Sequence, residues 1–176
     1  SKNIVTIYNP KDIVEINKKS NEYVPEVFRK HTGPFILYVG RLVTEKDLST
    51  LVEAFAISRA TRKLHLLLVG DGGEKERIQK LVEDRGLSTE VSFVGAQENP
   101  YVYMKNSDVL VLPSLSEGLS NVLIEALITN VRIVATDCPA GGSREILAPT
   151  TDYTKRLIDR IEKTKSGALV PVASPT

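Results

Sequence analysis

Two glutamates, eight positions apart, are the residues of this sequence best suited to chemistry. Glu117 lies in a loop rich in serine and glycine, whereas Glu125 lies inside an apolar run with helical spacing. Between Gly118 and Val131, Glu125 is the only charged residue. Burying a carboxylate is costly unless hydrogen-bond donors surround it. Beside a helix start and a glycine loop, such a carboxylate suits a ligand that carries hydroxyl and phosphate groups.

The helix that contains Glu125 is expected to begin at Ser120, its candidate N-cap. The first backbone N–H groups of a helix have no partner within it, and together with the helix dipole they favour an anion. Gly118 allows close approach of the backbone to a ligand. The alternatives are a purely structural helix start, a Glu125 side chain on the solvent face, and an ordinary loop carboxylate at Glu117.

Two cations follow the first predicted strand. Arg41 comes directly after Gly40, and Lys46 follows five residues later. Cations beside a helix start are suited to neutralise a diphosphate leaving group in place of a metal ion. For Lys46 a solvated surface cation, with Glu45 and Asp47 as neighbours, is the favoured alternative.

Other patterns argue against several kinds of site. The Gly-Asp-Gly-Gly run that starts at Gly70 predicts a tight turn that touches a nucleotide, if the ligand is one. The run lacks the third glycine of dinucleotide-binding loops. Two histidines and one cysteine are too few for a clustered metal site, and we expect His65 and Cys138 in the core. Tyr101 and Tyr103 are either a wall of a base-binding site or half-buried packing residues.

The composition indicates one soluble globular domain, because the 176 residues are 41% hydrophobic and 26% charged. The net charge of +1 offers no electrostatic reason to bind nucleic acid or anionic lipid. No apolar run approaches the roughly 18 residues of a membrane span. A single cysteine fits a reducing, cytoplasmic compartment. Since the sequence lacks a starting methionine, we expect an excised fragment.

Apolar runs alternate with helical patterns along the chain. Strands are expected at residues 35–39, 64–69, 91–94, 108–112 and 132–135, with a final edge strand at 168–170. Helices are expected at residues 47–59, 74–83, 100–106, 120–129, 142–147 and 151–163. This order predicts an α/β fold with a doubly wound, mostly parallel Rossmann-like sheet. Ligands of such sheets bind beyond the carboxyl ends of the strands, where the polar loops fall.

Ordered motifs across the chain resemble those of a known family. The run from Glu117 to Glu125 matches the Glu–seven residues–Glu motif of retaining glycosyltransferases with the GT-B fold, in the group 1 family. Further matches lie at residues 38–42, 45–47, 51–55, 68–72, 91–95, 107–114, 134–139, 144–147 and 167–171. Residues 1–34, with a strand expected at 4–8 and mostly polar residues after it, are expected to be an interdomain linker or hinge. The resemblance implies that residues 35–176 are a nucleotide-sugar (donor) binding Rossmann-like domain, truncated at its C-terminus.

The resemblance also implies roles for individual residues. Arg41 and Lys46 hold the donor diphosphate. Glu117 contacts the donor sugar, together with the backbone of Gly118, Leu119 and Ser120. Glu125 holds the ribose, Gly70 touches the nucleotide, and the loop from Gly95 to residue 100 flanks the base. Two departures from the family pattern are Asn130, in place of a small residue, and a longer segment at 148–166.

The implied reaction moves a sugar from a nucleotide diphosphate, with UDP as the expected nucleotide, to a glycan or lipid-linked acceptor of polysaccharide or lipopolysaccharide synthesis. No metal or other cofactor is expected, and the acceptor is bound by an N-terminal domain outside this chain. The chain alone is therefore expected to be inactive, and the full enzyme to be cytoplasmic or peripheral at the inner membrane face. The alternatives are a non-catalytic nucleotide-sugar binding module, a glycogen-synthase-like transferase and a sugar-nucleotide epimerase.

Overall fold

The central feature of the fold is a single sheet. The computed structural model describes residues 10–152 and 156–172, and in them seven strands lie in the order β3-β2-β1-β4-β5-β7-β6. The strands are β1 (Phe35–Val39), β2 (His65–Val69), β3 (Val91–Gly95), β4 (Val109–Leu112), β5 (Arg132–Thr136), β6 (Glu162–Thr164) and β7 (Gly167–Val170). All neighbours pair in parallel except β6, which is antiparallel to β7. The prediction of a doubly wound, mostly parallel sheet is confirmed.

Helices connect the strands and cover the sheet. In the described residues they are α1 (Ile13–Ser20), α2 (Val27–Lys30), α3 (Leu48–Arg59), α4 (Lys75–Asp84), α5 (Tyr101–Asn106), α6 (Asn121–Ile128) and α7 (Gly142–Leu147), with a 3-10 turn at Thr44–Lys46. Every residue of β2 is buried. Since successive side chains of a strand point to opposite faces, both faces of the sheet are covered there.

The strand order places a ligand crevice between β1 and β4. β1 pairs with β2 on one side and with β4 on the other, so the chain leaves β1 in one direction along the sheet and later returns to build in the other. In open α/β sheets, the crevice at such a switch point, outside the carboxyl ends of the strands, is where ligands bind. The loops after β1 and β4 are therefore the ones to compare with the predicted site.

The segment before β1 contains two helices where the sequence suggested mostly a polar linker. α1 packs against α5 and α6, and its Ile16 side chain is only 4% exposed. The side chain of Asp12 caps α1 by accepting a hydrogen bond from the Glu15 amide at 2.8 Å. The strand expected at residues 4–8 lies outside the described residues, and the hinge role of residues 1–34 stays a prediction.

The helix expected at residues 151–163 is wrong. Residues 156–161 are not helical, and Glu162–Thr164 forms β6, which joins β7 in a hairpin through a two-residue turn. The Leu157 amide donates to Asp137 at 2.8 Å, and Arg144 bonds Glu162 at 3.0 Å. The bond to Asp137 replaces the backbone partner that the Leu157 amide would have inside a helix. Because β6 lies beyond β7, the strand expected at the edge of the sheet is an interior one.

Candidate functional site

Three glycines bring the loops after β1, β2 and β3 together at the carboxyl edge of the sheet. The Gly40 amide donates to Val69 O at 3.0 Å, and the Gly70 amide donates to Gly95 O at 2.9 Å. A Cβ on Gly70 would lie 1.8 Å from Gly40 O, so no other residue fits without moving the backbone. Gly70 has φ of 142°, and the tight turn lies at the end of the run, at residues 73–74, where the Lys75 amide donates to Gly72 O at 3.1 Å. Contact of Gly70 and Gly95 with a nucleotide stays a prediction.

Lys46 and Glu117 form an ion pair across the switch point. The Lys46 ammonium contacts Glu117 Oε2, and the two side chains are 17% and 15% exposed. The hydroxyl of Ser114 donates to the same carboxylate oxygen at 3.1 Å. The Leu115 amide also donates to Glu45 O at 2.9 Å, which ties the loop after β1 to the loop after β4. Lys46 is therefore a largely buried partner of Glu117 rather than a solvated surface cation.

Arg41 begins the same loop after β1, two residues beyond the strand, and its side chain is exposed. The Tyr38 hydroxyl donates to Arg41 O at 2.7 Å, which fixes the backbone at the end of β1. Burial first, and then the charge of Glu117, raise the pKa of Tyr38, whereas the charge of Arg41 acts in the opposite direction. Among the described residues Arg41 forms no ion pair. The structure thus places Arg41 and Lys46 in the loop after β1, and the Lys46–Glu117 pair joins that loop to the one after β4.

The start of α7 packs against the backbone that follows Glu117. A Cβ on Gly142 would lie 1.8 Å from Gly118 O and 3.0 Å from Leu119 N, so α7 packs directly on this peptide. The Cys138 thiol lies 3.9 Å from Glu117 O and is fully buried, as expected from the sequence. Burial raises the pKa of the Cys138 thiol, which disfavours the thiolate and leaves it a packing residue.

Ser120 occupies the N-cap position of α6, as predicted, with ψ of 114°. Within the described residues its side chain makes no capping hydrogen bond. The serine hydroxyl therefore does not occupy the backbone N–H groups at the start of α6, next to Gly118 and Leu119. These are the donors that the resemblance assigns to the donor substrate, an assignment that stays a prediction.

Glu125 is buried, and its partner is a residue that the sequence did not indicate. It is the fifth residue of α6 and is 9% exposed, so the interpretation that placed it on the solvent face is wrong. Lys11, which precedes α1, approaches Glu125 Oε1 to 2.6 Å. Because Lys11 lies 114 positions away in a polar segment, no local pattern reveals this pairing.

The two tyrosines of α5 have different surroundings. Burial first, and then the charge of Glu125, raise the pKa of Tyr101. Tyr103 is 7% exposed, and its ring centroid lies 6.2 Å from that of Phe28. The packing interpretation fits Tyr103, whereas a role of Tyr101 beside a base stays a prediction.

A third buried ion pair lies after the adjacent strand, β5. Asp137 follows β5, and both of its carboxylate oxygens accept from Arg144 of α7, at 3.0 and 2.7 Å. The side chains are 0% and 4% exposed. Sequence reasoning missed this pair. The sequence signal was an acidic and a basic residue seven positions apart, one on each side of a glycine loop. The two residues meet because Asp137 follows a strand of the sheet and Arg144 lies in α7.

Side chains that bind metals are scattered in the described part of the chain. No group of three or more His, Cys, Asp or Glu among residues 10–152 and 156–172 has the arrangement of a metal site. His65 is 4% exposed, as expected of a core histidine, and its ring stacks on that of His31 with centroids 3.7 Å apart.

Comparison with known proteins identifies the family of this chain. The family model described as "Glycosyl transferases group 1" matches residues 19–166. The chain belongs to the group 1 glycosyl transferases. Membership agrees with the resemblance that the sequence motifs suggested, and the mostly parallel sheet agrees with a domain of the GT-B fold.

Individual relatives of this group 1 glycosyl transferase chain carry more detailed names. An uncharacterized glycosyltransferase of Methanocaldococcus jannaschii is 35% identical over 155 residues, which are 85% of this chain and 37% of that protein. The Campylobacter jejuni N-acetylgalactosamine-N,N'-diacetylbacillosaminyl-diphospho-undecaprenol 4-alpha-N-acetylgalactosaminyltransferase is 35% identical over 140 residues, 80% of this chain and 36% of that protein. The chain thus spans less than two fifths of the length of these curated relatives.

A solved structure agrees with the fold of this group 1 glycosyl transferase chain. Staphylococcus aureus TarM, crystallised as a variant with fondaparinux, alpha-GlcNAc-glycerol and UDP, superposes with a TM-score of 0.64 at 26% identity. The match covers 81% of this chain and 27% of TarM. Among the described residues, every helix falls short of the length and apolar character that a membrane crossing requires.

Proposed function

We propose that this chain is the donor-binding domain of a retaining glycosyltransferase that transfers a sugar from a UDP-sugar to a glycan or lipid-linked acceptor. The observation that carries the proposal is the ion pair of Lys46 and Glu117 at the switch point of the sheet, with exposed Arg41 in the same loop as Lys46. The UDP complex of TarM supports the nucleotide. The name of the Campylobacter jejuni relative supports a lipid-linked acceptor.

The proposed chemistry starts from the two cations. As the bond between sugar and diphosphate breaks, negative charge grows on the leaving diphosphate, and preorganised donors lower the barrier by meeting that charge. Arg41 and Lys46 supply positive charge at the mouth of the crevice, and the start of α6 adds backbone N–H groups. Glu117 holds the Lys46 ammonium in place, and Ser114 donates to the same carboxylate. The lysine side chain is therefore already ordered before the donor binds.

The two carboxylates of the proposed site contact different parts of the donor. Glu117, at the loop end, accepts hydrogen bonds from the sugar, and Glu125, five residues into α6, accepts from the ribose. We propose that no metal ion takes part, because two cations and a helix start already face the diphosphate. The acceptor site belongs to the part of the protein outside this chain, so the chain alone binds donor without transferring sugar. The single buried cysteine fits a cytoplasmic enzyme.

Replacement of Arg41 tests the diphosphate site. Arg41→Ala is expected to weaken UDP binding by about 1.5–3 kcal/mol, or roughly tenfold or more, because a charge-assisted hydrogen bond is lost. Isothermal titration calorimetry in the presence of a chelator measures the change and tests metal independence at once. Arg62→Ala is the matched control, since Arg62 is exposed and lies before β2, at the opposite edge of the sheet.

Two results would contradict the proposal. Equal UDP affinities of the unmodified chain and Arg41→Ala would remove Arg41 from the site. UDP binding that appears only after addition of a divalent cation would show that Arg41 and Lys46 do not replace a metal ion.

A further inference from the structure

Lys11 is placed beside the predicted ribose carboxylate by the start of a helix. Its Nζ lies 2.6 Å from Glu125 Oε1, and the two side chains are only 20% and 12% exposed. The next residue is Asp12, the N-cap of α1. The position of Lys11 therefore depends on how α1 is anchored.

α1 is anchored against the elements that would surround the nucleoside. It packs on α5 and α6, with Ile16 buried between them. The side-chain amide of Asn99 donates to Lys19 O at 3.0 Å, which ties the end of α1 to the loop after β3. That loop is the one that the family resemblance assigns to the base.

The ion pair leaves half of the Glu125 carboxylate available. Oε1 is bound by Lys11, whereas Oε2 accepts no hydrogen bond from the described residues. A carboxylate offers about four acceptor sites on its two oxygens. One cation on one oxygen compensates the buried charge, limits rotation of the carboxylate, and leaves the second oxygen for a ligand.

We propose that Lys11 is a positioning residue of the donor site, which holds the Glu125 carboxylate so that Oε2 accepts hydrogen bonds from the ribose diol of the nucleotide. The inference rests on the proposed function, since it takes the ribose as the ligand of Glu125. Without Lys11, a carboxylate that is 9% exposed loses its compensating charge and turns toward water or other donors. The ribose hydroxyls then lose an oriented acceptor, while the diphosphate contacts at Arg41 and Lys46 remain.

The test compares UDP with 2',3'-dideoxyuridine diphosphate, which lacks the diol, by calorimetry on the 176-residue chain. The unmodified chain is expected to bind UDP roughly tenfold more tightly than the dideoxy compound. In Lys11→Met this ratio is expected to fall to about threefold or less, and Lys11→Arg is expected to restore it. Lys18→Met, an exposed position of α1, is the matched control and is expected to keep the full ratio. Each ratio is measured within one variant, so it is independent of the fraction that is folded.

The outcomes separate the role of Lys11 from that of the site. A Lys11→Met variant that keeps the full ratio, with or without a loss of both affinities, overturns the inference and makes Lys11 only an anchor of α1. An unmodified chain that binds both compounds equally shows that no ribose contact exists. The assignment of Glu125 in the proposed function then fails, together with the role of Lys11. Absence of UDP binding by the unmodified chain would reject the donor site as a whole.

Discussion

Three acidic side chains in or near the candidate site each form an ion pair with one basic side chain. Glu117 pairs with Lys46, Glu125 with Lys11 and Asp137 with Arg144, and no member of these pairs is more than 20% exposed. A buried ion pair contributes little net stability compared with apolar residues of similar size, but removal of one partner leaves an uncompensated charge. The first pair joins the loops after β1 and β4, the second joins α6 to the residue before the N-cap of α1, and the third is almost fully buried after β5.

Removal of Arg144 is expected to destabilise the fold strongly. Arg144→Met leaves the Asp137 carboxylate buried without its cation and also breaks the bonds to Thr151 and Glu162. We expect the free energy of unfolding in urea to fall by about 3–5 kcal/mol. Arg132→Met, at an exposed position of β5, is the control and should change it by less than about 0.5 kcal/mol. A loss below 1 kcal/mol in Arg144→Met would mean that solvent reaches Asp137.

At the scale of elements, the site depends on helices and loops that approach each other without side chains between them. α7 begins against the peptide between Gly118 and Leu119, and Gly142 is the residue that permits it. The loop after β2 approaches that after β1 in the same way at Gly70. Both contacts position backbone at the carboxyl edge of the sheet, so glycine is required by space rather than by flexibility.

A methyl group at position 142 is expected to displace the loop after Glu117. Gly142→Ala puts Cβ 1.8 Å from Gly118 O, and relief of that overlap costs about 1–3 kcal/mol of stability. If the proposed donor site is right, UDP affinity also falls, because the start of α6 moves with the loop. Urea unfolding and calorimetry measure the two effects. Gly73→Ala is the control, since a Cβ there meets nothing within 4 Å; equal behaviour of both variants would contradict the close contact.

At the scale of the whole molecule, the two ends of the parallel strands carry different groups. The polar loops of the candidate site lie at the carboxyl ends, whereas a stacked pair of histidines lies at the amino ends. His65, the first residue of β2, is buried with Nε2 2.9 Å from Ser92 Oγ. Burial first, and then the neighbouring charge of His31, lower the pKa of His65 to about 4. The folded state therefore requires neutral His65.

Stability is expected to fall in mild acid because of this histidine. An unfolded histidine has a pKa near 6.5, so between pH 6.5 and about 4 the unfolded state binds more protons than the folded state. The free energy of unfolding then decreases as pH falls through this window, by about 2–3 kcal/mol between pH 7 and pH 4.5. Urea unfolding at the two pH values measures the loss. His65→Gln keeps a polar group beside Ser92 without titrating and should remove most of it; an unchanged pH dependence would assign the loss to other groups.

Much of the fold was predictable because local patterns agree with the tertiary structure. Short continuous apolar runs that end at a glycine, such as residues 35–39, favour strands buried on both faces, and the helical spacing after them predicts covering helices. Asn130, which stands in place of a small residue, adopts the left-handed conformation that asparagine tolerates, with φ of 60°. The helix expected at residues 151–163 is wrong because distant partners, Asp137 and Arg144, determine the path of that segment.

The sequence by itself determined the α/β class, the positions of most strands and helices, the family, and the presence of two glutamates and two cations near strand ends. These follow from local periodicity and from motifs that each lie within a few residues. Only the tertiary structure decided which charges meet. Lys46 pairs with Glu117, and Lys11 with Glu125, because sheet order and helix packing bring together residues 71 and 114 positions apart. Local patterns carry no record of such distances, since burial and charge compensation depend on the complete fold.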